Sequence, residues 1–422
     1  MSRKMKRERI CFVIRRLAGR GGGAERVLMD VANEMHSRGY EVQIVTYEPT
    51  RTPPFYTPAF GVRVVNLRVP DGSRSPIKRR LDRLRRNTVK NLPYWAGLRA
   101  LAWYSEHYGF ARALRRHFES WRPDTVVAWM PPTYAPCAMA KRGLPIRLVA
   151  STHNEPSQDY TNPERWDPNP LDREKRLRAL YGFDAVAVLL PDYQKWYDEL
   201  VRNKIVIIPN AVRPVRSLDL ENAPRKTKIL SVGRLAKVKR HDLSILAFHR
   251  IASRHPNWNF EIFGSGPEEA NLRSMIRELG LENRVYLRGH VVEIQSQYTD
   301  SSFLCHSAEF EGFPLAVTES LASGLPVVGF DDCSGLNQLV VHEYNGVLVK
   351  PGSDRVTNLA AAIERMITDH ELRIKCSRSA PGSMTRFHPT LVFDLWEHFI
   401  TGCEEAKVPQ VKDFSRATYV AI

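Results

Sequence analysis

The sequence lacks several features that would assign it to a specialised class of protein. Its six cysteines are scattered and none forms a CxxC pair, so a disulfide framework and a cysteine zinc site are excluded and a reducing cytoplasm fits best. The longest apolar runs, such as Pro326–Phe330, are far shorter than the roughly 20 residues of a transmembrane helix. Two arginines interrupt the apolar stretch that begins at Ile10, so the sequence predicts no signal peptide.

The composition is ordinary, but the charge is unevenly distributed. The chain has 422 residues, of which 43% are hydrophobic and 26% charged, as expected for a globular protein of about two domains. Its net charge is +16, and residues 1–120 hold 25 Lys and Arg against 10 Asp and Glu, an excess of 15. This part of the chain is therefore expected to face nucleic acid, an acidic membrane surface or a phosphorylated substrate, with a solubilising surface as the alternative.

Short β-branched runs alternate with helical patterns, which indicates parallel sheets covered by helices on both faces. The predicted strands are Ile10–Ile14, Val42–Thr46, Val62–Leu67, Thr125–Trp129, Arg147–Ser151, Ala185–Leu189, Ile205–Ile208, Lys228–Val232, Asn259–Phe263, Val285–Leu287, Ser302–Cys305, Pro326–Phe330 and Gly346–Val349. A polar linker interrupts the series near residues 210–226. We therefore predict two α/β domains at 1–212 and 213–390, with a helix and tail at 391–422 that crosses back onto the first domain.

An insert at about residues 51–121 interrupts the first domain. Its segment Arg74–Lys90 holds eight basic residues and one acidic residue. Beside the basic segment lie four aromatic residues, Tyr94, Trp95, Trp103 and Tyr104. Cations and aromatics together favour contact with a membrane interface, and RNA binding is the alternative. In the following helix, a stripe is predicted to pack into the core; it consists of Leu101, Tyr104, Tyr108, Ala111, Leu114 and Phe118.

The segment from Ala308 to Pro326 has the strongest chemical pattern. A helix is expected to begin near Pro314, which suits the first helical position, and to end at Gly324. The backbone N–H groups of Leu315 and Ala316 would then be free to bind a phosphate. Glu311 before the helix and Glu319 within it carry carboxylates, which suit sugar and ribose hydroxyls. A capped surface helix with two incidental acids is the alternative.

The two glutamates, eight positions apart, resemble the E-x7-E signature of the family-4 retaining glycosyltransferases. Five further segments resemble family motifs in the expected order; they are Gly21–Arg26, Ile208–Asn210, Ser231–Leu235 followed by Lys239, Phe263–Pro267 and Asn345–Val349. The resemblance covers roughly residues 8–400 and is weakest in the basic insert. Leu336 and Gln338 depart from the family pattern, which bears on donor preference.

The resemblance implies a GT-B fold, in which two Rossmann-like domains face a central cleft, and it implies roles for individual residues. Arg234 and Lys239 would bind the donor diphosphate, Glu311 the donor sugar and Glu319 the ribose. His153, after the strand Arg147–Ser151, would contact the donor sugar. The remaining donor-binding residues would be Gly22, Gly23, Gly233, Gly264, Gly266, Gly312, Phe313, Pro314, Leu315 and Ala316. The catalytic set would be Glu311, Arg234, Lys239 and His153. No protein nucleophile, metal or cofactor is expected.

The expected activity is therefore retaining transfer from a nucleotide-sugar, most readily a UDP-sugar, to a lipid-linked or polysaccharide acceptor. The positive first domain predicts an anionic acceptor and a location at the inner face of a bacterial cell membrane, in cell-surface glycan biosynthesis. Two alternatives remain. A GT-B sugar-nucleotide epimerase would consume donor without acceptor. A nucleic-acid binder would use the basic insert but would leave the two glutamates and Arg234 and Lys239 unexplained, so no nucleic-acid partner is expected.

Overall fold

A computed structural model describes residues 8–68, 96–167, 169–215, 225–291 and 293–402 of the chain. The chain forms two compact units. Of the described residues, the first unit contains those from 8 to 208 and from 393 to 402, and the second contains those from 209 to 392. The basic segment Arg74–Lys90, with Tyr94 and Trp95, lies outside the described residues.

The first unit is built on one parallel sheet. Its strands are β1 (Arg9–Ile14), β2 (Glu41–Thr46), β3 (Arg63–Asn66), β4 (Thr125–Trp129), β5 (Arg147–Ser151), β6 (Ala185–Val188) and β7 (Ile205–Ile207). They pair in the order β3-β2-β1-β4-β5-β6-β7, and β1 aligns Ile10 with Val42 on one side and with Thr125 on the other. Phe12 and Val13 point to opposite faces of β1 and are both 0% exposed, so both faces of the sheet are covered.

Helices connect these strands. They are α1 (Gly23–Ser37), α2 (Ala96–Trp121), α3 (Tyr134–Lys141), α4 (Pro156–Tyr160), α5 (Pro170–Ala179), α6 (Pro191–Gln194) and α7 (Glu199–Arg202). The first of them, α1, ends at Ser37, and Gly39 lies just beyond it with a positive φ of 99°.

The second unit repeats the same arrangement. Its strands are β8 (Lys228–Val232), β9 (Asn259–Phe263), β10 (Val285–Gly289), β11 (Phe303–His306), β12 (Val327–Phe330) and β13 (Gly346–Val349). They pair in parallel in the order β10-β9-β8-β11-β12-β13. The helices are α8 (His241–Ala252), α9 (Glu269–Glu278), α10 (Gln295–Asp300), α11 (Leu315–Ala322), α12 (Leu336–Leu339), α13 (Arg355–Thr368), α14 (His370–Ser379) and α15 (Pro389–Thr401).

In both sheets the first strand lies inside, between the second and the fourth of its unit. Connections therefore leave this strand pair in opposite directions, which opens a crevice at the carboxyl ends of the strands where doubly wound α/β proteins bind ligands. The crevice lies between β1 and β4 in the first unit and between β8 and β11 in the second. The predicted strands and the predicted pair of parallel α/β sheets are confirmed.

The last helix, α15, passes from the second unit to the first. In the first unit the indole of Trp396 stacks on that of Trp129, with 5.4 Å between the ring centroids. Thr125 Oγ1 donates to the Ile400 carbonyl at 3.1 Å, and Arg38 forms an ion pair with Glu397 at 2.5 Å. These contacts hold α15 against the first sheet.

The prediction for the buried face of α2 is wrong in its first half. Leu101, Tyr104 and Tyr108 are exposed, at 67%, 45% and 62%. Trp103, proposed for a membrane contact, is instead buried at 4% exposure, and its indole N–H donates to Asp172 Oδ1 at 2.8 Å. Trp103 and His107, which both contact Asp172, lie on the buried side of this half of the helix. In the second half, Ala111, Leu114 and Phe118 are buried as predicted.

Candidate functional site

The loop after β8 is held by two close backbone contacts with the loop after β9. Gly233 N–H donates to the Phe263 carbonyl at 2.9 Å, and Leu235 N–H donates to the Ser265 carbonyl at 3.0 Å. A Cβ on Gly264 would lie 1.9 Å from the Gly233 carbonyl oxygen, and one on Gly266 would lie 2.3 Å from that of Leu235. Gly264 also has a φ of +143°, which side chains rarely adopt. These two predicted donor-binding glycines therefore fix the backbone on both sides of Arg234.

Arg234 and Lys239, the two predicted cations, have different surroundings. Arg234 is exposed, and among the residues that the structure describes its side chain has no hydrogen-bond or ion-pair partner. Lys239 forms an ion pair with Glu311, and its side-chain carbons pass beneath Gly233, at 3.7 Å from where a Cβ would be. The hydroxyl of Ser307 donates to the carbonyls of Lys239 and Arg240, at 3.2 and 2.7 Å. The end of β11 thus fixes the position of Lys239.

The loop that carries Glu311 is anchored at both ends. Glu309 N–H donates to the Val238 carbonyl at 2.9 Å, which joins this loop to the one that carries Lys239. Glu311 N–H donates to the Ser334 carbonyl at 3.0 Å. Gly312, Phe313 and Pro314 are buried directly after it. These contacts place the Glu311 carboxylate at the carboxyl end of β11.

Two histidines that the sequence analysis missed complete this group. His306, the last residue of β11, is 4% exposed, and its Nε2 lies 3.1 Å from Glu311 Oε1. His241, the first residue of α8, is also 4% exposed, and its Nδ1 lies 3.3 Å from the Ser231 hydroxyl. His306 lies at the carboxyl end of β11, and His241 opens the helix that follows β8, the two strands that border the crevice.

The groups around Glu311 stabilise its ionised carboxylate form. Burial alone would raise the pKa of Glu311, but the Lys239 ammonium and the contact with His306 outweigh it and lower the pKa to about 2. Burial, together with the nearby Lys239 and His306, lowers the pKa of His241 to about 4. At neutral pH this crevice therefore holds an ionised carboxylate, a lysine ammonium and a neutral His241.

The N-terminus of α11 follows Glu311 directly. Val317 and Thr318 N–H both donate to the Pro314 carbonyl, so Pro314 caps the helix and does not occupy its first position as predicted. The extended ψ of 100° at Pro314 places it outside the helix. Leu315 and Ala316 supply the first two N–H groups of α11, which is where a helix can accept an anion.

Glu319 lies one turn into α11. Its Oε2 accepts a hydrogen bond from the Tyr298 hydroxyl at 3.0 Å, so α10 fixes the orientation of this carboxylate. Tyr298 is completely buried. A carboxylate held in one orientation can accept hydrogen bonds from a pair of adjacent hydroxyls.

In the first unit, Trp129 brings together two of the predicted elements. Its indole N–H donates to the Ala24 carbonyl at 3.1 Å, at the start of α1, where Gly22 is the N-cap and Gly23 the first residue. The same indole stacks on His153, with 4.2 Å between the ring centroids. The glycine loop after β1 and the histidine after β5 therefore lie on either side of the end of β4.

His153 is held as a neutral imidazole. It is 8% exposed, and its Nε2 lies 2.8 Å from the Ser151 hydroxyl. Burial lowers the pKa of His153 to about 3. Its Nδ1 is buried and has no hydrogen-bond partner within the described part of the chain. This side chain can exchange hydrogen bonds with a neutral hydroxyl, but it does not supply a positive charge at neutral pH.

Three further findings concern a cavity, metal-binding groups and membrane-spanning helices. A cavity of about 520 Å³ in the second unit is lined by Lys228, Glu261 and Arg288 among others, and by none of the predicted site residues. Within the described ranges, no group of three or more His, Cys, Asp and Glu side chains is arranged to hold a metal ion. Of the helices that the structure describes, none has the length and apolar character needed to span a bilayer.

Comparison with known proteins is consistent with this geometry. Residues 21–216 match the model for Glycosyltransferase Family 4, and residues 218–382 match the model for Glycosyl transferases group 1. An uncharacterised glycosyltransferase of Haemophilus influenzae is 27% identical over 85% of this chain and 90% of its own length. An α-1,4-N-acetyl-D-galactosaminyltransferase of Campylobacter jejuni, named for a diNAcBac-PP-undecaprenol glycan, is 24% identical over 94% of this chain and 99% of its own.

A solved structure shares the fold. Anabaena HepE in complex with UDP superposes with a TM-score of 0.66 at 18% identity, covering 94% of this chain and 100% of that one. Together, the two family models span both parallel α/β units, and each contains one of the crevices described above. The chain belongs to the family-4 glycosyltransferases with the GT-B fold.

Proposed function

We propose that the protein is a retaining glycosyltransferase that moves a sugar from a UDP-sugar to a lipid-linked or polysaccharide acceptor. One observation carries the donor site: a partly buried Lys239–Glu311 ion pair lies at the crevice of the second unit, in the same loop system as Arg234, which has no partner among the described residues. Two cations and the first N–H groups of a helix suit a diphosphate. The UDP bound in the Anabaena structure supports UDP as the nucleotide of the donor.

In this proposal the parts of the donor are recognised separately. Arg234, Lys239 and the N–H groups of Leu315 and Ala316 bind the diphosphate. Glu311 accepts hydrogen bonds from the sugar, and Glu319, held by Tyr298, accepts them from the ribose. We propose that His153 contributes a hydrogen bond from its neutral imidazole to the sugar.

Transfer then proceeds by front-face substitution. The bond between the anomeric carbon and the diphosphate oxygen breaks while the acceptor oxygen bonds to the same face of that carbon. The acceptor proton passes to the departing phosphate, so no protein nucleophile is required. Arg234 and Lys239 stabilise the negative charge that develops on the diphosphate, and we propose that these fixed cations make a divalent metal unnecessary.

The acceptor proposal is based on charge and on the Campylobacter relative. Residues 1–120 carry an excess of 15 positive charges, which suits a diphosphate-linked lipid and an acidic membrane surface. The name of the relative specifies a polyprenyl-diphosphate-linked glycan and an α linkage. On α2, the exposed Leu101, Tyr104 and Tyr108 supply apolar and aromatic side chains for the headgroup boundary of the inner membrane face.

A thermal-shift panel of UDP, GDP, ADP and their common sugars, with and without EDTA, tests this proposal. A ligand present at about 100 times its Kd should stabilise the protein by roughly 2.7 kcal/mol. We expect UDP and one UDP-sugar to raise the melting temperature equally in both conditions, and we expect the anomeric proton of the product to report retention by NMR. No shift with any nucleotide would overturn the donor site, and a shift lost in EDTA would overturn metal independence.

A further inference from the structure

Four arginines of the first unit lie near the glycine loop at residues 21–23, and the mechanism above gives them no role. Arg15 and Arg16 directly follow β1, and Arg20 precedes the glycine loop. Arg68 follows β3 by two residues. These four residues, here called the arginine cluster, therefore lie at the carboxyl edge of the first sheet, the edge at which doubly wound α/β proteins bind ligands.

Tyr47, the first residue after β2, brings two members of the cluster together. The Arg15 guanidinium lies 6.0 Å from the centroid of the Tyr47 ring, and the Arg68 guanidinium lies 5.9 Å from the same centroid. The Arg15 guanidinium also lies 5.5 Å from the centroid of Phe110 on α2. Tyr47 N–H donates to the Arg15 carbonyl at 3.3 Å. The ends of three neighbouring strands therefore place two cations next to one aromatic ring.

Hydrogen bonds between the loops fix the backbone that carries the cluster. The carboxylate of Glu48, which is 6% exposed, accepts from Leu17 N–H at 3.2 Å and from Ala18 N–H at 3.1 Å. Asn66 Nδ2 donates to the Glu48 carbonyl at 2.9 Å, and Asn66 Oδ1 accepts from Arg68 N–H at 3.0 Å. The loops after β1, β2 and β3 are thus joined, so little ordering of the backbone is required when a ligand binds.

The positive charges of the cluster act on one another. Burial lowers the pKa of the Arg16 guanidinium, and the charges of Arg20 and Arg15 lower it further. Arg68 acts in the same direction, whereas the Glu106 carboxylate, which forms an ion pair with Arg15 at 2.5 Å, acts in the opposite one. Folding therefore brings together guanidinium groups that repel each other, and a bound anion would relieve that repulsion.

We propose that the arginine cluster binds the diphosphate of the lipid-linked acceptor. The inference rests on the proposed function, which supplies the acceptor. Guanidinium groups bind phosphate oxygens in pairs. Arg16 and Arg20 are exposed and can contact the diphosphate, while Arg15 and Arg68 are half-buried and add to the positive potential. The Glu25 carboxylate lies 3.9 Å from Arg20, whose side chain stays 45% exposed.

The position of the cluster suits an anion that is carried on a lipid. Glu106 and Phe110, which contact Arg15, belong to α2. The same helix carries the exposed side chains of Leu101 and Tyr108, which we propose to lie at the headgroup boundary. The diphosphate of a lipid-linked glycan lies at that boundary, since its prenyl chain is in the bilayer. The first unit therefore offers cations beside a helix with exposed apolar side chains.

Calorimetric titration of geranyl diphosphate, a soluble prenyl diphosphate, into the full-length protein saturated with UDP tests this inference. Saturating UDP keeps the probe out of the proposed donor site. We expect the double variant Arg16→Gln and Arg20→Gln to bind geranyl diphosphate about tenfold or more weakly and to bind UDP as wild type does. The matched control is Arg112→Gln with Arg116→Gln, which also removes two exposed cations, four positions apart, from the first unit.

The outcomes separate the arginine site from other uses of the same charges. Weaker binding of geranyl diphosphate to the double variant and unchanged binding to the control pair support the site, and melting curves establish that both proteins are folded. Failure of wild type to bind the probe, or equal affinities for wild type and the folded double variant, overturns it. A loss of equal size in the control pair also overturns it, because net charge alone would then explain the binding.

Two further measurements distinguish this inference from the neighbouring proposals. Sedimentation with vesicles of phosphatidylglycerol and phosphatidylcholine measures binding to lipid headgroups. A double variant that loses vesicle binding but keeps its affinity for geranyl diphosphate would assign the cluster to the membrane surface and overturn the acceptor role. Failure of UDP to bind wild type would overturn the donor site, whereas a loss of geranyl diphosphate binding confined to the double variant would still support the arginine site.

Discussion

Lys239 and Glu311 form an ion pair within the second unit, although they are 72 positions apart in the sequence. The pair joins the loop after β8 to the loop after β11, the two strands that border the crevice. Replacing Lys239 and replacing Glu311 should therefore have opposite effects on nucleotide binding. Lys239→Met removes a cation from the proposed diphosphate site and should weaken UDP binding by about tenfold or more.

Glu311→Gln removes the competing carboxylate and frees Lys239 for the diphosphate. UDP binding by this variant should be equal to or tighter than that of wild type, while sugar transfer falls by at least about a hundredfold. Fluorescence or calorimetric titration gives the affinities, and product formation gives the rate. Weaker UDP binding in both variants to the same extent would mean that the pair is only structural.

Acid should destabilise the protein through two buried histidines. Folding lowers the pKa of His153 from 6.5 to about 3 and that of His241 from 6.5 to about 4. Each histidine is neutral in both states above pH 6.5, so its contribution to stability is complete there. Below that pH the unfolded chain binds protons that the folded chain does not, and stability falls until the pH passes the folded-state pKa.

Each such histidine should contribute a slope of about 1.4 kcal/mol per pH unit within its range. The melting temperature should therefore fall steeply between pH 6.5 and 4. His153→Gln should make the melting temperature less dependent on pH in this range. The control is His398→Gln, which replaces a partly exposed histidine. A pH profile unchanged by His153→Gln would contradict the buried neutral state.

Gly264 should not tolerate a side chain. A Cβ at this position would lie 1.9 Å from the Gly233 carbonyl oxygen, and its φ of +143° strains any residue other than glycine. Gly264→Ala should cost more than about 3 kcal/mol of stability and displace the loop that carries Arg234. Gly182→Ala, where nothing lies within 4 Å of the new Cβ, should have little effect. Equal melting temperatures for the two variants would contradict the tight packing of the loops.

Membrane binding should depend on the outer face of α2. The double variant Leu101→Ser and Tyr108→Ser removes two of its exposed apolar side chains and should reduce partitioning into acidic vesicles by about tenfold. Leu200→Ser is the control, since Leu200 is also in the first unit and is 69% exposed. Sedimentation with vesicles of increasing acidic-lipid content measures the effect. Partitioning that does not change with acidic lipid would contradict a peripheral location.

The sequence allowed the sheets to be predicted because each strand is a short β-branched run bounded by turn residues. Such runs are typical of parallel strands that are buried on both faces. The family motifs also predicted Lys239 and Glu311, which the structure joins. Roles for Glu319 and Arg234 stay predictions, since they concern a ligand.

The errors arose where contacts are distant in the sequence. In α2, aromatic residues lie on both sides of the helix, and periodicity alone does not choose between them. The choice is made by Asp172, which is 69 positions from Trp103 and binds both Trp103 and His107. His306 was missed because its partner Glu311 belongs to a motif whose known signature does not include it. The rule that selected His153, a histidine after a strand end, would also have selected His306.

The most direct test of the donor site is the affinity of UDP for wild type and for Arg234→Ala, measured by calorimetry. Arg234 is exposed and has no partner among the described residues, so its removal should leave the melting temperature unchanged. The account predicts UDP binding that is weakened by about tenfold or more in Arg234→Ala and is unchanged in Lys237→Ala, which removes an exposed cation three residues further along the chain. Equal affinities for wild type and Arg234→Ala would contradict it.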